Sequence, residues 1–165
     1  MYVSGAYDTR WDNGLWNPFF AAIRAGDFEV VEQGWGAARF YPLTPCRLLD
    51  TRNATGDYGG PAIGAGASRS FVAAGRCGLP GSVRAIAGNL IVVGPAAVGV
   101  LKLLPGDRPL GASSTLSYTV GKTRANNFSL RLSGNSTSTD WGAFTIFNEA
   151  SDAAHVVVDV SGFFE

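Results

Sequence analysis

The sequence predicts an all-β protein, a two-sheet sandwich or jelly roll of about eight strands. Its apolar residues come in short β-branched runs, and glycine, proline, serine and asparagine separate these runs, as is typical of strands joined by tight turns. Glycine is abundant, at 22 of 165 residues, which suits a fold with many turns.

From residue 41 onward the pattern reads strand, turn, strand. The apolar-rich runs, each bounded by turn residues, are CRLLD, SRSFVAAG, SVRAIAGNLIVVG, VGVLKLLPG, SSTLSYTVG, ANNFSLRLSG, WGAFTIFN and AAHVVVDVSGFF. In the last run, alternation places Val156, Val158 and Val160 on one face and His155, Val157 and Asp159 on the other. The valine face is the predicted core face.

The first part of the chain has a different character. Residues 1–40 hold nine of the 19 aromatic residues but little regular periodicity, although NPFFAAIRAG could form a short helix and DFEVVEQ a strand. So many rings cannot easily be buried by this segment alone, so it either wraps on its own domain or docks on a partner or a neighbouring subunit. We expect residues 1–39 to be an assembly arm that precedes a β-sandwich domain of residues 40–165. The rings expected to anchor the arm are Trp11, Trp16, Phe19, Phe20, Phe28 and Trp35.

The charge content argues against two kinds of partner. Basic and acidic residues number 13 each, and charged residues make up only 16% of the chain, without a basic stripe. A nucleic-acid partner is therefore not expected. No apolar run approaches the ~20 residues that a membrane span needs, so no membrane insertion is expected. The first residues, MYVSGAYDTRWDNG, lack the basic start and the apolar core of a signal peptide, which predicts a chain without an export signal.

The two cysteines, Cys46 and Cys77, leave two alternatives open. They could form one disulfide, closing a loop of about thirty residues that is worth roughly 3 to 4 kcal/mol. They could equally be two reduced, buried thiols in a protein made in the cytoplasm. Two cysteines without CxxC spacing and a single histidine do not supply the ligands of a structural metal site, so neither a metal nor another cofactor is expected.

Four spaced motifs give the sequence a family resemblance. These are FYPLTPCRLLDTR, GRCGLPGSVRAIAGNLIVVG, KTRANNFSLRL and the closing HVVVDVSGFFE. Over residues 40–165 the chain resembles a β domain found in many surface and secreted proteins of environmental bacteria. The resemblance implies that Cys46 and Cys77 are the paired cysteines of that family. It supplies no catalytic motif and does not extend to residues 1–39.

No catalytic arrangement is evident in the sequence. His155 is the sole histidine, and a catalytic triad would need Asp159 as its orienting acid and a serine from elsewhere, yet no G-x-S-x-G motif marks such a serine. The stretch GGPAIGAG lacks both the lysine of a phosphate-binding loop and a following helix. The acids of the sandwich are sparse and stand in no recognisable motif. We therefore expect a protein that is not an enzyme and has no catalytic residues.

The stretch CRLLDTRNATG contains two arginines and an aspartate in a sequence that is poor in charge. Arginine binds carboxylates in a bidentate manner, so Arg52 or Arg124 paired with Asp50 or Asp159 would hold the start of the sandwich to its last strand. This structural clamp is the interpretation that we favour. The functional alternative is a small anion or sugar site on the edge of the sandwich.

Together these features predict a non-enzymatic structural protein. A domain type that is usually exported, an absent export signal and an aromatic arm fit a bacteriophage particle, whose proteins are made in the cytoplasm and released by lysis. We expect a capsid decoration or cement protein, or a short fibre component, on the virion surface. The arm would bind other virion proteins, and the chain would form a homo-oligomer, with a trimer preferred.

The alternative function is a carbohydrate-binding or adhesion module at the bacterial cell surface. In that case Tyr58, Tyr118 and Trp141 are the candidates for exposed rings that stack on a surface glycan.

Overall fold

The computed structural model describes residues 38–134 and 141–165, which form eight β-strands and no helix. The predicted arm lies almost wholly outside the described residues, and so do all six of its anchoring rings. Among the residues that are described, no helix is long and apolar enough to cross a membrane. The strands are β1 (Phe40–Asp50), β2 (Ser68–Val72), β3 (Ala85–Val93), β4 (Gly99–Pro105), β5 (Leu116–Tyr118), β6 (Arg124–Arg131), β7 (Ala143–Ala150) and β8 (His155–Phe164).

These strands form two antiparallel sheets of four strands each within the described part of the chain. The first sheet has the order β1-β8-β3-β6, and the second has the order β2-β7-β4-β5. The prediction of an all-β, two-sheet fold of about eight strands is confirmed. Strand β8, the last in sequence, lies between β1 and β3, so the end of the chain is central to the first sheet.

One hydrophobic core lies between the sheets, and alternation decides which side chains enter it. Val156, Val158 and Val160 of β8 are fully buried and belong to this core, as the sequence predicted. Strand β3 shows the same period of two, because every second residue from Ile86 onward is buried. The second sheet contributes Phe144 of β7, which is also fully buried.

A disulfide ties the first strand to a connection between the sheets. Cys46 of β1 is bonded to Cys77 in the connection between β2 and β3, with their Cα atoms 5.7 Å apart. Strand β1 is an edge strand of the first sheet, so the bond fixes this edge to the segment in which the chain passes from the second sheet to the first. The disulfide expected from the family resemblance is confirmed.

Removing this disulfide should weaken the fold without changing it. The bond closes a loop with a sequence separation of 31 residues, so the double variant Cys46→Ser, Cys77→Ser should lose about 3 to 4 kcal/mol of unfolding free energy. Urea denaturation of the oxidised chain and of the variant measures the difference. Equal denaturation midpoints for the two proteins would show that the bond does not stabilise the domain.

Candidate functional site

The carboxylate of Asp50 is buried at the end of β1, where the chain leaves the first sheet. Asp50 is only 4% exposed, and Arg52 occupies both of its oxygens. Oδ1 accepts hydrogen bonds from the backbone N–H of Arg52 at 3.1 Å and from its Nε at 2.8 Å, and Oδ2 accepts from Nη2 at 2.5 Å. A separation of two residues thus lets both the backbone and the side chain of Arg52 bind the same carboxylate.

A second arginine, Arg47, joins β1 to the last strand. Its Nε donates to Oδ1 of Asp159 at 2.9 Å, and its Nη2 donates to Oδ2 at 3.2 Å. Its Nη1 also reaches Oδ2 of Asp50 at 3.4 Å. Arg47 and Asp159 are directly opposite each other in the β1–β8 ladder, which explains why the two side chains meet.

The prediction that Arg124 pairs with Asp50 or Asp159 is wrong. Arg124 begins β6, where it is exposed and lies opposite Val92 of β3. Strand β6 is at the opposite edge of the first sheet from β1, and β3 separates it from β8. The neighbouring strands are about 4.8 Å apart, so Arg124 is too far from both aspartates, and Arg47 takes its predicted place beside Asp159.

The electrostatics follow from these contacts. Hydrogen bonds from the Arg52 side chain lower the pKa of Asp50 from its ordinary value of 3.8 to about 2, against the opposing effect of burial. The hydrogen bond to Asp159 raises the pKa of Arg47. Two guanidinium groups therefore face two carboxylates, and the cluster has no net charge. Such a balance favours the structural interpretation over an anion site, because no unmatched positive charge is left for a ligand.

His155 is involved in a separate link between β8 and the residue that follows β1. Its Nδ1 lies 3.2 Å from Oγ1 and 3.1 Å from the carbonyl oxygen of Thr51. The same Oγ1 accepts a hydrogen bond from the backbone N–H of Val156 at 2.8 Å. Asp159 is four residues further along the strand, about 13 Å away at ~3.3 Å per residue, and it binds Arg47. The His155–Asp159 pair that a triad would need is not formed.

The loop after β1 wraps around the side chain of Arg69 from β2. Its Nη1 donates to the carbonyl oxygens of Gly59 at 2.7 Å and Pro61 at 3.1 Å, and its Nη2 donates to those of Gly56 at 2.5 Å and Asp57 at 3.2 Å. A recess of about 610 Å³ lies between this loop and β2. Both terminal nitrogens of Arg69 are already used by the loop, so they are poorly placed to bind an anion there.

The three candidate rings for glycan stacking differ in exposure and in their contacts within the domain. The prediction that Tyr118 is exposed is wrong, because the residue is 3% exposed and its hydroxyl donates to Oδ1 of Asn148 at 2.6 Å. Tyr58 is half-buried, and the guanidinium of Arg76 covers its ring at 3.5 Å from the centroid. Trp141 is half-buried and donates its Nε1 hydrogen to the carbonyl oxygen of Gly81 at 2.6 Å. Tyr58 and Trp141 thus already have partners within the domain.

Two polar residues that organise the loops were not identified from the sequence. Arg69 has no acidic neighbour in the chain that would mark it, since its partners are backbone carbonyls. Asn148 is fully buried, and its Nδ2 donates to the carbonyl oxygens of Ile63, Gly64 and Asp152 at 2.9 to 3.1 Å. The only signal for Asn148 is the alternation in FTIFN, which places it on the same inward face as Phe144 and Ile146, where a polar side chain must find partners.

The chain has little similarity to known proteins. No protein-family model matches the chain, and no curated protein sequence matches it. Among solved structures, the coat protein of Tobacco streak virus, solved as a dimer, is similar to this chain with a TM-score of 0.33 and 10% sequence identity. The match covers 75% of this chain and 84% of that chain. A similarity at this level carries no inference about function.

The clamp interpretation predicts a selective loss of stability. Arg52→Ala removes both side-chain donors to the buried carboxylate of Asp50 and leaves it only the backbone N–H of residue 52 and the long hydrogen bond from Arg47, so the melting temperature should fall by roughly 5 to 10 °C. Arg124→Ala is the matched control and should leave the melting temperature unchanged. Differential scanning calorimetry measures both. An unchanged melting temperature for Arg52→Ala, together with lost anion or sugar binding, would make the cluster a ligand site.

The same cluster predicts acid sensitivity. The pKa of Asp50 is lower in the folded chain, at about 2, than its ordinary value of 3.8, so its ionised form stabilises the fold above that ordinary value. This contribution should be lost as the pH falls from about 4 through about 2. In melting curves over this range, Asp50→Asn should show a shallower decline than the native chain, whereas the exposed control Asp57→Asn should not. Parallel curves for Asp50→Asn and the native chain would refute the coupling.

Proposed function

We propose that this chain is a non-enzymatic structural protein of a bacteriophage particle, a capsid decoration or cement protein or a short fibre component. Residues 40–165 would be displayed on the virion surface. Residues 1–39 would attach the chain to other virion proteins, in a homo-oligomer for which a trimer is the preferred state.

The observation that carries this proposal is the double tie at the β1 edge of the sandwich. A disulfide links β1 to the connection after β2, and Arg47 links β1 to β8. Disulfides persist in oxidising surroundings such as virion and cell surfaces. A domain whose first strand is held both covalently and by ion pairs is suited to display outside the cell, where an unfolded chain is exposed to proteolysis.

The ionisable groups near β1 and β8 are already bound to other groups of the domain, which supports a non-enzymatic role. Asp50 and Asp159 are both bound by arginine, and His155 is bound to Thr51. A general acid or base must be free to bind the proton of a substrate. These groups instead hold β1, β8 and the loop between β1 and β2 together, which is a structural role.

The aromatic density of residues 1–39 supports attachment to an assembly. Burying four large rings against a partner removes several hundred square ångströms of apolar surface, worth about 10 kcal/mol gross at ~25 cal/mol per Å² before ordering costs. Several copies docking together would strengthen the attachment further.

Fractionation of a lysate from the host of the gene tests the virion assignment. Particles banded on a density gradient should contain the chain in fixed stoichiometry to the major capsid protein, as measured by quantitative mass spectrometry. Recovery in the cell-envelope fraction instead would refute the virion assignment and favour the bacterial surface module.

Deleting residues 1–38 should separate folding from assembly. The described core cluster is formed by residues between Leu48 and Phe163, all retained in the truncated chain, so this chain should give a β-type circular dichroism spectrum and a cooperative melt. It should no longer co-sediment with its particle or form its oligomer. An unfolded truncation would mean that the deleted segment completes the sandwich core, and full retention of assembly would place the interface on the strands.

A further inference from the structure

A row of four polar side chains crosses the outer face of the first sheet. Arg47 of β1 lies opposite Asp159 of β8, Asp159 lies opposite Asn89 of β3, and Asn89 lies opposite Asn127 of β6. Residues that are directly opposite in a ladder point to the same face of the sheet. At about 4.8 Å per strand, the row is about 14 Å long.

A recess runs beside this row where the neighbouring side chains are small. It has a volume of about 450 Å³, and its lining includes Ala87, Ser129 and Ser161 together with Asn127. A second recess, of about 320 Å³, lies at the other end of the row between Arg47 and Asp159 and is also lined by Pro45 and Cys46. The row therefore has a depression at each end.

An exposed aromatic ring lies on the same sheet, near the first recess. Phe40 lies over Gly162, since a Cβ atom on that glycine would come within 2.4 Å of the ring. Gly162 lies opposite Ala87, which lines the recess, and Phe40 is nonetheless 51% exposed. The ring belongs to β1, on the far side of β8 from Ala87, so it lies outside the recess and extends the face beyond it.

One member of the row has an unused hydrogen-bonding group. Oδ1 of Asn89 is buried and has no hydrogen-bond partner among the described residues. Its neighbour Asp159 is an acceptor when ionised, and the donors of Arg47 are directed to that carboxylate. A buried acceptor without a donor is costly, so a rotation of the side chain that exposes this oxygen would let a ligand hydroxyl supply the missing donor.

The charges of the face indicate an uncharged ligand. Arg47 is paired with Asp159 and Asp50, and Arg131, at the end of β6, is paired with Asp107 at 3.1 Å. No net charge remains in the row to attract an ionic ligand. The unpaired Oδ1 atom of Asn89 lacks a hydrogen-bond donor, and the hydroxyl groups of a polyhydroxylated molecule can supply one.

We propose that the outer face of the first sheet, centred on Asn89 and Asn127, binds a neutral oligosaccharide. The amides would hydrogen-bond its hydroxyls, and the ring of Phe40 would pack against the apolar face of a sugar. The length of the row suits a short oligosaccharide rather than a single small molecule. This site is separate from the three rings that the sequence indicated, and it does not depend on whether the chain is a virion protein.

The first test uses the full oxidised chain on an array of defined oligosaccharides. The array holds neutral α- and β-linked glucans, mannans, galactans and chitin oligomers beside sulfated and uronic-acid oligosaccharides. The proposal expects binding to at least one neutral class, followed by calorimetry with that sugar to obtain Kd. Binding to none of the neutral sugars, or only to the acidic ones, would overturn it.

The second test locates the site with variants. Asn127→Ala and Phe40→Ala should each weaken binding of that sugar about tenfold or more. Ser117→Ala, exposed on the outer face of the second sheet opposite Val100, is the matched control and should leave Kd unchanged. Equal Kd values for all these variants would place the site elsewhere and overturn the proposal.

Asn89→Ala distinguishes a ligand group from a structural one. Because its Oδ1 lacks a partner in the domain, the variant should weaken sugar binding about tenfold while the melting temperature stays the same or rises. A lower melting temperature with an unchanged Kd would show that Asn89 only supports the sheet, and the assignment of the row would fail.

Discussion

The buried carboxylate of Asp50 is the constraint on which the β1 edge of the sandwich depends. A carboxylate that is 4% exposed is tolerated only with charge-matched hydrogen bonds, and these come from Arg52 and Arg47 on the same chain segment. Satisfying Asp50 therefore fixes the turn after β1. Because Arg47 must also reach Asp159, the same requirement sets the position of β1 against β8.

That position matters because β8 is the last of the described strands in sequence, yet it lies inside the first sheet. Its pairing with β1 joins parts of the chain that are far apart in sequence, which is entropically expensive before other contacts form. The disulfide from Cys46 offsets part of this cost, since it fixes β1 to the connection between β2 and β3 and limits the freedom of the unfolded chain. Ion pairs and a covalent bond thus add to the β1–β8 ladder in holding an edge strand, which has a neighbouring strand on one side only.

Local pattern predicted the parts of this structure that depend on neighbours in sequence. The alternation of Val156, Val158 and Val160 predicted the core face of β8, and the DTR motif predicted the Asp50–Arg52 pair. The errors concern pairings between strands. Whether Arg47 or Arg124 meets Asp159 depends on strand order, which leaves no periodic signal in the sequence. Tyr118 lies two residues after Leu116 on the inward face of β5, and its hydroxyl is satisfied there by Asn148 of β7, a partner that the sequence does not indicate.

The structural tie and the proposed sugar site share Asp159, and the first helps to create the second. Arg47 binds both oxygens of that carboxylate, so the only cation in the row is neutralised, and its guanidinium is directed to Asp159 and Asp50 rather than to Asn89. Asn89 is thereby left with an unpaired acceptor in the middle of a face that is otherwise electrically balanced. A scaffold that used an apolar residue at this position would avoid the cost of that acceptor. The asparagine at position 89 is best explained if this face binds a partner that can donate a hydrogen bond.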